Sequence, residues 1–273
     1  MIGPPLAPAD VEIFEDSVVP RYLSYFGGLV TEMLLPFSPA QIAHLNCRTG
    51  YPDTLMADKI PESVFVGVDA SDAALDMARA RAALSSKMRA SYQVGSTFPS
   101  PLPDETFTHT FSLHPLCDAA GRAQLLAELR RLLLPGGQAL LALPLRGSFP
   151  EINDMIREYA LRQDLTDLSK AVDAAAASRP TIETVSEEFE DAGLTEVDVD
   201  VQLIAVSFNN GKEFLDDPIA RLMVLPDVQA VLAMDKEAAG PCLKYVHDAI
   251  SKYWSEGVFE LTVNVGCASG RRL

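Results

Sequence analysis

Apolar residues along this chain change their period repeatedly, and each change marks a switch between strand and helix. Gln41–Leu45, Val64–Val68, Ala90–Val94, Phe107–Leu113 and Gln138–Leu143 are short apolar or β-branched runs of strand length. Between them lie segments of helical character: Pro52–Lys59, the alanine- and arginine-rich Ala73–Leu84, and the amphipathic Ala119–Leu134, stopped by a Pro135-Gly136-Gly137 turn. Such alternation predicts an α/β fold with a mainly parallel, doubly wound sheet. Ahead of it, Val18, Tyr22, Phe26, Leu29, Val30 and Met33 recur at helical spacing, which predicts a leading helix or helix pair from Val11 to about Leu35, cut off by Pro36 and Pro39. The first ten residues are Pro-rich and predicted to be loose.

The second half is less regular. Ile152–Ala177 is alanine-rich and predicted helical, and Thr181–Ala192 forms a further helix closed by Gly193. Val197–Phe208 has strand character, helices fill Gly211–Glu256, and Phe259–Val265 alternates as a last strand.

With 273 residues, 48% of them hydrophobic, the chain can bury one large core without needing two domains. A net charge of −16 argues against nucleic acid and anionic membranes as partners, because neutralising phosphates requires a basic face. Cys47, Cys117, Cys242 and Cys267 are scattered, with no Cys-x-x-Cys pair and no zinc-like spacing, so no metal site is expected. The start, MIGPPLAPADVEIFEDS, lacks the basic and apolar regions of a signal peptide, and no apolar run reaches the roughly 18 residues of a membrane span. A soluble, cytoplasmic protein is the expectation.

Four stretches carry more specific information. They are Ile42-Ala43-His44-Leu45-Asn46-Cys47-Arg48-Thr49-Gly50; Val66-Gly67-Val68-Asp69-Ala70-Ser71; Ser100-Pro101-Leu102-Pro103-Asp104-Glu105-Thr106-Phe107-Thr108; and Arg131-Leu132-Leu133-Leu134-Pro135-Gly136-Gly137. In this order the chain resembles the class I S-adenosylmethionine-dependent methyltransferases, especially the small-molecule branch of quinone and biotin biosynthesis. The resemblance covers about residues 40–145 and, more weakly, the two final strands. It implies a Rossmann-like, seven-stranded single domain: a leading helical segment (1–40), a nucleotide-binding half (41–145) and a C-terminal half with helical insertions (146–273). It also implies S-adenosylmethionine as cofactor and a small-molecule methyl acceptor.

The same resemblance exposes departures. The family ends its first strand in Asp-x-Gly-x-Gly-x-Gly; here His44 replaces the acid, Asn46 and Arg48 replace the first two glycines, and Gly50 remains. Asp69, followed by Ala70, matches the acid that holds the ribose hydroxyls. Ser96 replaces the adenine-facing acid after strand three, and Thr108 replaces an Asp of strand four. Glycine suits that first turn because it has no Cβ and takes positive φ. Asparagine visits that region more readily than most residues, whereas Arg48 brings a long cation towards a site built for a sulfonium. Asp69 could cap the following helix, but Ser71 or Asp72 can do so equally, which frees it for a ligand.

Methyl transfer chiefly requires alignment, with a base only where the acceptor arrives protonated. His114, closing strand four, is the candidate base, with helix capping or packing as the alternative. His109 lies inside the strand and is expected to be a satisfied core residue. Cys117 lacks an evident activating base. Arg146 could reach an anionic ligand, or its segment could open a helix with Ser148 as cap and Pro150 in the first turn. Phe214, Leu215, Ile219, Leu222, Met223 and Leu225 could line an acceptor pocket or an interface, or pack the core.

Three functions follow: a small-molecule methyltransferase with an altered cofactor loop; a catalytically inactive methyltransferase-like protein with a protein partner, in which Arg48 fills the vacated site; or a binder of an anionic, nucleotide-like ligand recruited by His44 and Arg48 beside Asp69.

Overall fold

The computed structural model describes residues 4–232 and 236–273. Residues 1–3 of the Pro-rich start, and 233–235 inside the predicted helical span Gly211–Glu256, lie outside the described residues. The strands are β1 (Gln41–Leu45), β2 (Ser63–Asp69), β3 (Met88–Val94), β4 (Phe107–Leu113), β5 (Leu133–Pro144), β6 (Thr195–Phe208) and β7 (Phe259–Arg271). They form one seven-stranded sheet in the order β3-β2-β1-β4-β5-β7-β6. The pairings β1–β2, β1–β4, β2–β3 and β4–β5 are all parallel. Strand order reverses between β1 and β4, and a doubly wound sheet opens its ligand crevice at such a point, outside the carboxyl ends of the strands. The loops that follow His44 and precede Cys117 are therefore where binding is expected.

Helices α1 (Val11–Ile13) and α2 (Ser24–Met33) belong to one helical run from Pro8 to Met33. Its middle, Phe14–Leu23, takes the wider π form around Pro20. A proline has no N–H to give and crowds the preceding turn, and the wider turn accommodates both. Val18, Tyr22, Phe26, Leu29 and Val30 are buried as the spacing predicts, while Met33 is only half-buried. Then come α3 (Asp53–Lys59), α4 (Asp72–Ala83) and α5 (Ala119–Leu132). Ser71 caps α4 by accepting from the amide of Ala74, and Asp118 caps α5 by accepting from Gly121.

Two sequence expectations need correction in detail. Helix α5 ends at Leu132, and Pro135-Gly136-Gly137 lies within β5 instead of forming a turn ahead of it. Gly136 and Gly137 exchange backbone hydrogen bonds with Arg272, and this pairing draws the segment into the sheet. The predicted helix Ile152–Ala177 is two helices, α6 (Pro150–Arg162) and α7 (Thr166–Ser178), separated where Asp164 takes a φ of 53°. Helix α8 (Ile182–Asp191) stops, as predicted, at Gly193 with φ 80°. Helices α9 (Gly211–Asp216), α10 (Leu225–Leu232) and α11 (Lys236–Tyr253) complete the chain, with a π turn at Ala220–Val224.

The chain divides into two compact units, one of Met1–Leu143, Ile182–Val201 and Gly266–Leu273, the other of Pro144–Thr181 and Gln202–Val265. In the first, Ile42, Leu45, Phe65, Phe111, Leu125, Leu129 and Leu140 are buried around the sheet. Each such side chain contributes roughly 1.5–3 kcal/mol by leaving water. In the second, Phe214 stacks on Phe259 at 4.5 Å, and Phe208 meets Phe214 edge-on at 5.0 Å. Phe214, Ile219 and Met223 of the apolar stripe are buried in this core, while Leu215, Leu222 and Leu225 are half-buried. Among the described residues, no helix is long and apolar enough to cross a membrane.

Candidate functional site

The turn after β1 adopts the backbone expected of glycines at three positions, although only the last of them is a glycine. Asn46, Arg48 and Gly50, the three glycine positions of the motif, have φ of 55°, 48° and 78°. For an L-residue such as arginine this conformation costs roughly 1–2 kcal/mol. Specific bonds hold it. The amide of Arg48 donates to Oδ2 of Asp69 at 3.0 Å, Cys47 donates to the carbonyl of Val68 at 3.2 Å, and Gly50 donates back to Cys47 at 2.7 Å. The guanidinium of Arg48 turns to the carbonyl of Pro4, 2.8 Å from Nη1. It anchors the N-terminal segment instead of filling the turn.

Asp69 is 3% exposed, and its other oxygen accepts from the amide of Ser71 at 2.9 Å. Helix capping falls to Ser71, whose hydroxyl also donates to Leu6 at 2.6 Å, so Asp69 is free of that task as expected. A carboxylate has about four acceptor sites, and two are used here. Capacity for further donors remains.

Beside this clasp lies a cavity of about 260 Å³, lined by Pro5, Leu45, Asn46, Val68, Ala70, Gly95, Ser96, Thr97, Phe98 and Ser100. Three residues singled out from the sequence, Asn46, Ala70 and Ser96, thus meet at one cavity. Pro5, Thr97 and Phe98 were not foreseen, because nothing in their local pattern separates a cavity wall from an ordinary loop.

His44 is buried and does not face water. Its ring stacks on Phe111 at 4.0 Å, and Nδ1 lies 2.8 Å from Oδ1 of Asp53. The second oxygen of Asp53 accepts from the Tyr92 hydroxyl at 2.8 Å. All three groups are at least nine-tenths buried. Asp53 and Tyr92 were missed from the sequence, although an acid opening the helix after the turn was visible. Burial, together with the nearby Asp53, pushes the Tyr92 hydroxyl far above its usual pKa. Burial, then Asp69 and Asp53, does the same to the Cys47 thiol, so Cys47 is no nucleophile at neutral pH.

The fit of the expected cofactor can be judged from orphaned polar atoms. His44 Nε2 and Thr49 Oγ1, both on the strand-turn segment, are buried with no protein hydrogen-bond partner. Buried polar atoms are normally satisfied, and exceptions call for a ligand or water. Together with the cavity and Asp69, they fit a nucleoside joined to a polar amino-acid group.

His114, with a φ of 42°, closes β4 under the leading helical run. Its Nε2 is 2.9 Å from the Tyr22 hydroxyl, and its ring meets Phe26 edge-on at 5.0 Å. His109 is the satisfied core residue expected, bonded to Leu35 and Thr108, and burial lowers its pKa to about 4. Thr108, in place of the family's Asp, both donates to and accepts from the backbone of Gln41.

The two downstream motifs are brought together structurally. Arg131 donates to Leu102, Asp104 and Glu128, and Glu128 also accepts from the amide of Ser100. Burial would raise the Glu128 carboxyl, but bonds from Arg131 and Ser100 outweigh it and hold the pKa below the ordinary value. In the second unit, Arg146 donates to the carbonyls of Ala177 and Arg179 and closes the end of α7. Ser148 bonds Asn264 and does not cap α6; Phe149 occupies the cap position, with Pro150 in the first turn as expected. Among the described residues, no group of three His, Cys, Asp or Glu side chains is placed to hold a metal ion.

Comparison with known proteins accords with this geometry. Residues 44–141 match the methyltransferase domain family. The chain is 31% identical over 141 residues to trans-aconitate 2-methyltransferases of Acidovorax sp. (strain JS42) and Acidovorax ebreus (strain TPSY), a match covering 51% of this chain and 52% of theirs. It thus spans about half the length of the curated relatives it matches. Among solved structures, it resembles the YcgJ protein of Bacillus subtilis (TM-score 0.55, 12% identity, 91% of this chain and 98% of that one). It also resembles phosphoethanolamine N-methyltransferase 2 of Haemonchus contortus, solved with S-adenosyl-L-methionine (TM-score 0.56, 13% identity, 97% of this chain and 57% of that one). At these identities the structural likeness establishes the fold.

Proposed function

We propose that this chain, whose residues 44–141 match the methyltransferase domain family, is a class I S-adenosylmethionine-dependent methyltransferase that binds S-adenosylmethionine and methylates a small-molecule acceptor. The observation that carries this reading is the positive φ at Asn46, Arg48 and Gly50, held by Asp69. The loop keeps the shape of a cofactor-binding turn despite its lost glycines.

When bound, S-adenosylmethionine supplies an electrophilic methyl group on its sulfonium, which an acceptor's lone pair takes as the carbon–sulfur bond breaks toward sulfur. The chain's part is to bind and align. Asp69 accepts from the ribose hydroxyls with the lone pairs its loop bonds leave over. Ala70, Ser96 and Phe98 bound the nucleoside cavity, and Pro5 covers its rim. The turn Asn46–Gly50 presents backbone to the methionine part. His114 is the candidate base, its Nε2 hydrogen-bonded to the Tyr22 hydroxyl. The relatives named for trans-aconitate and phosphoethanolamine both act on small acceptors, which supports the same class here.

Titration of the full chain with S-adenosylhomocysteine tests the reading. Binding in the micromolar range is expected, weakened about tenfold or more by Asp69→Asn. No binding at millimolar ligand would overturn it. The inactive-partner alternative, which required Arg48 to fill the turn, has no support from an Arg48 bonded to Pro4.

A further inference from the structure

The family's acid at the end of β1 is missing from this chain, yet a carboxylate stands one ring away from its place. His44 holds the acid's position, and its Nδ1 is 2.8 Å from Oδ1 of Asp53. Oδ2 of Asp53 already accepts a proton from Tyr92, whose own pKa is far too high for it to arrive ionised. Asp53 therefore acts as an acceptor on both oxygens, and the shared proton belongs on His44 Nδ1. An imidazole protonated at Nδ1 carries its lone pair on Nε2. That atom is fully buried and has no protein partner. Stacking on Phe111 fixes the ring plane, and the Tyr92–Asp53 bond fixes its direction, so Nε2 cannot swing to find another partner.

We propose that His44, with Asp53 and Tyr92 behind it, is a relayed substitute for the missing acid, its Nε2 accepting a hydrogen bond from the ammonium group of the cofactor's methionine part, directly or through one water. The imidazole, held by the Asp53 oxygen, stands where the single acid would stand. It also presents the same hydrogen-bond polarity, an acceptor, at the same strand end. Asp53 and Tyr92 are positioning residues: they set the tautomer and do not touch the ligand. The inference rests on the cofactor reading above.

The test compares three ligands by calorimetry on the full chain: S-adenosylmethionine, its decarboxylated form (ammonium kept, carboxylate lost) and 5′-methylthioadenosine (nucleoside only). Two variants are used. His44→Phe keeps the ring and its stacking but removes both nitrogens. Asp53→Asn offers one acceptor oxygen and one donor nitrogen; with the oxygen kept by Tyr92, the nitrogen faces Nδ1 and moves the proton to Nε2. In both, S-adenosylmethionine and its decarboxylated form should lose about 10- to 100-fold in affinity, while 5′-methylthioadenosine changes less than about threefold. The double variant His44→Asp/Asp53→Asn, which restores the acid beside a neutral partner, should recover binding to within about fivefold of the wild type. Equal loss for all three ligands, or no loss, overturns the proposal. So does loss for S-adenosylmethionine alone, which would assign His44 to the carboxylate. A wild-type chain that binds none of the three would instead overturn the cofactor reading itself. Unchanged 5′-methylthioadenosine binding also shows that a variant is folded.

Discussion

The backbone amide of Arg48 and the carboxylate of Asp69 are joined at 3.0 Å, so the residue standing in place of a glycine is tied to the acid at the end of the neighbouring strand. This bond explains how a turn that has lost two of its three glycines keeps their conformation. The energetic strain at Arg48 is local and is offset by contacts made only in the folded state. Relieving it should therefore be measurable.

Arg48→Gly removes a left-handed arginine worth roughly 1–2 kcal/mol of strain, but adds about 0.5–1 kcal/mol of unfolded-state entropy and loses an exposed bond to Pro4. A net gain of about 0.5 kcal/mol is expected, seen as a thermal midpoint raised by roughly 1–2 °C. Arg48→Val should move it the other way, because a β-branched side chain is least tolerant of positive φ.

Gly67 lies under Tyr92 in the middle of β2. A Cβ built there would approach the Tyr92 ring at 2.4 Å and the Cys47 sulfur at 2.9 Å. Gly67→Ala should force Tyr92 off Asp53 and destabilise the chain by about 1–3 kcal/mol. Denaturant melts read the stability, and weakened S-adenosylmethionine binding reads the displaced network.

His109 has a folded-state pKa lowered to about 4 by burial, against 6.5 for the free side chain. The unfolded chain therefore takes up a proton at a higher pH than the folded one. Stability from this residue is full above pH 6.5 and is lost as pH falls towards 4, on the order of 3 kcal/mol in all. The stability difference between wild type and His109→Gln, followed by denaturant titration at each pH, should change across that window and level off below it. A flat difference would contradict the assignment.

Arg131 neutralises the buried Glu128 and bonds the carbonyl of Leu102. Arg131→Met leaves that carboxylate uncompensated and should cost about 3 kcal/mol, lowering the thermal midpoint by roughly 6–10 °C. Arg131→Met/Glu128→Leu should recover most of the loss, since an apolar pair replaces the ion pair.

Strand and helix order was legible in the first half because each element carries its own period; β1 and β4 have the same bounds in sequence and structure. The misjudged elements lacked that local signal. An alanine-rich stretch hid the break at Asp164, and a Pro-Gly-Gly turn signal concealed pairing with Arg272, more than a hundred residues away. At the site, Asn46, Ala70, Ser96 and Asp69 could be found by motif position. The Asp53–Tyr92 support of His44 could not, because it joins a helix start to a strand 39 residues on. The outward course of the Arg48 side chain was equally hidden, since its partner is a backbone carbonyl of the N-terminal segment.

The turn holds positive φ at positions 46, 48 and 50 with only Gly50 remaining of the three glycines. Calorimetric titration of S-adenosylmethionine into the wild type and into Asn46→Gly/Arg48→Gly decides whether that conformation is already competent to bind. Micromolar-range binding to both is expected, with dissociation constants within about threefold of each other. A wild type that shows no binding at millimolar ligand, beside a variant that binds, would contradict it.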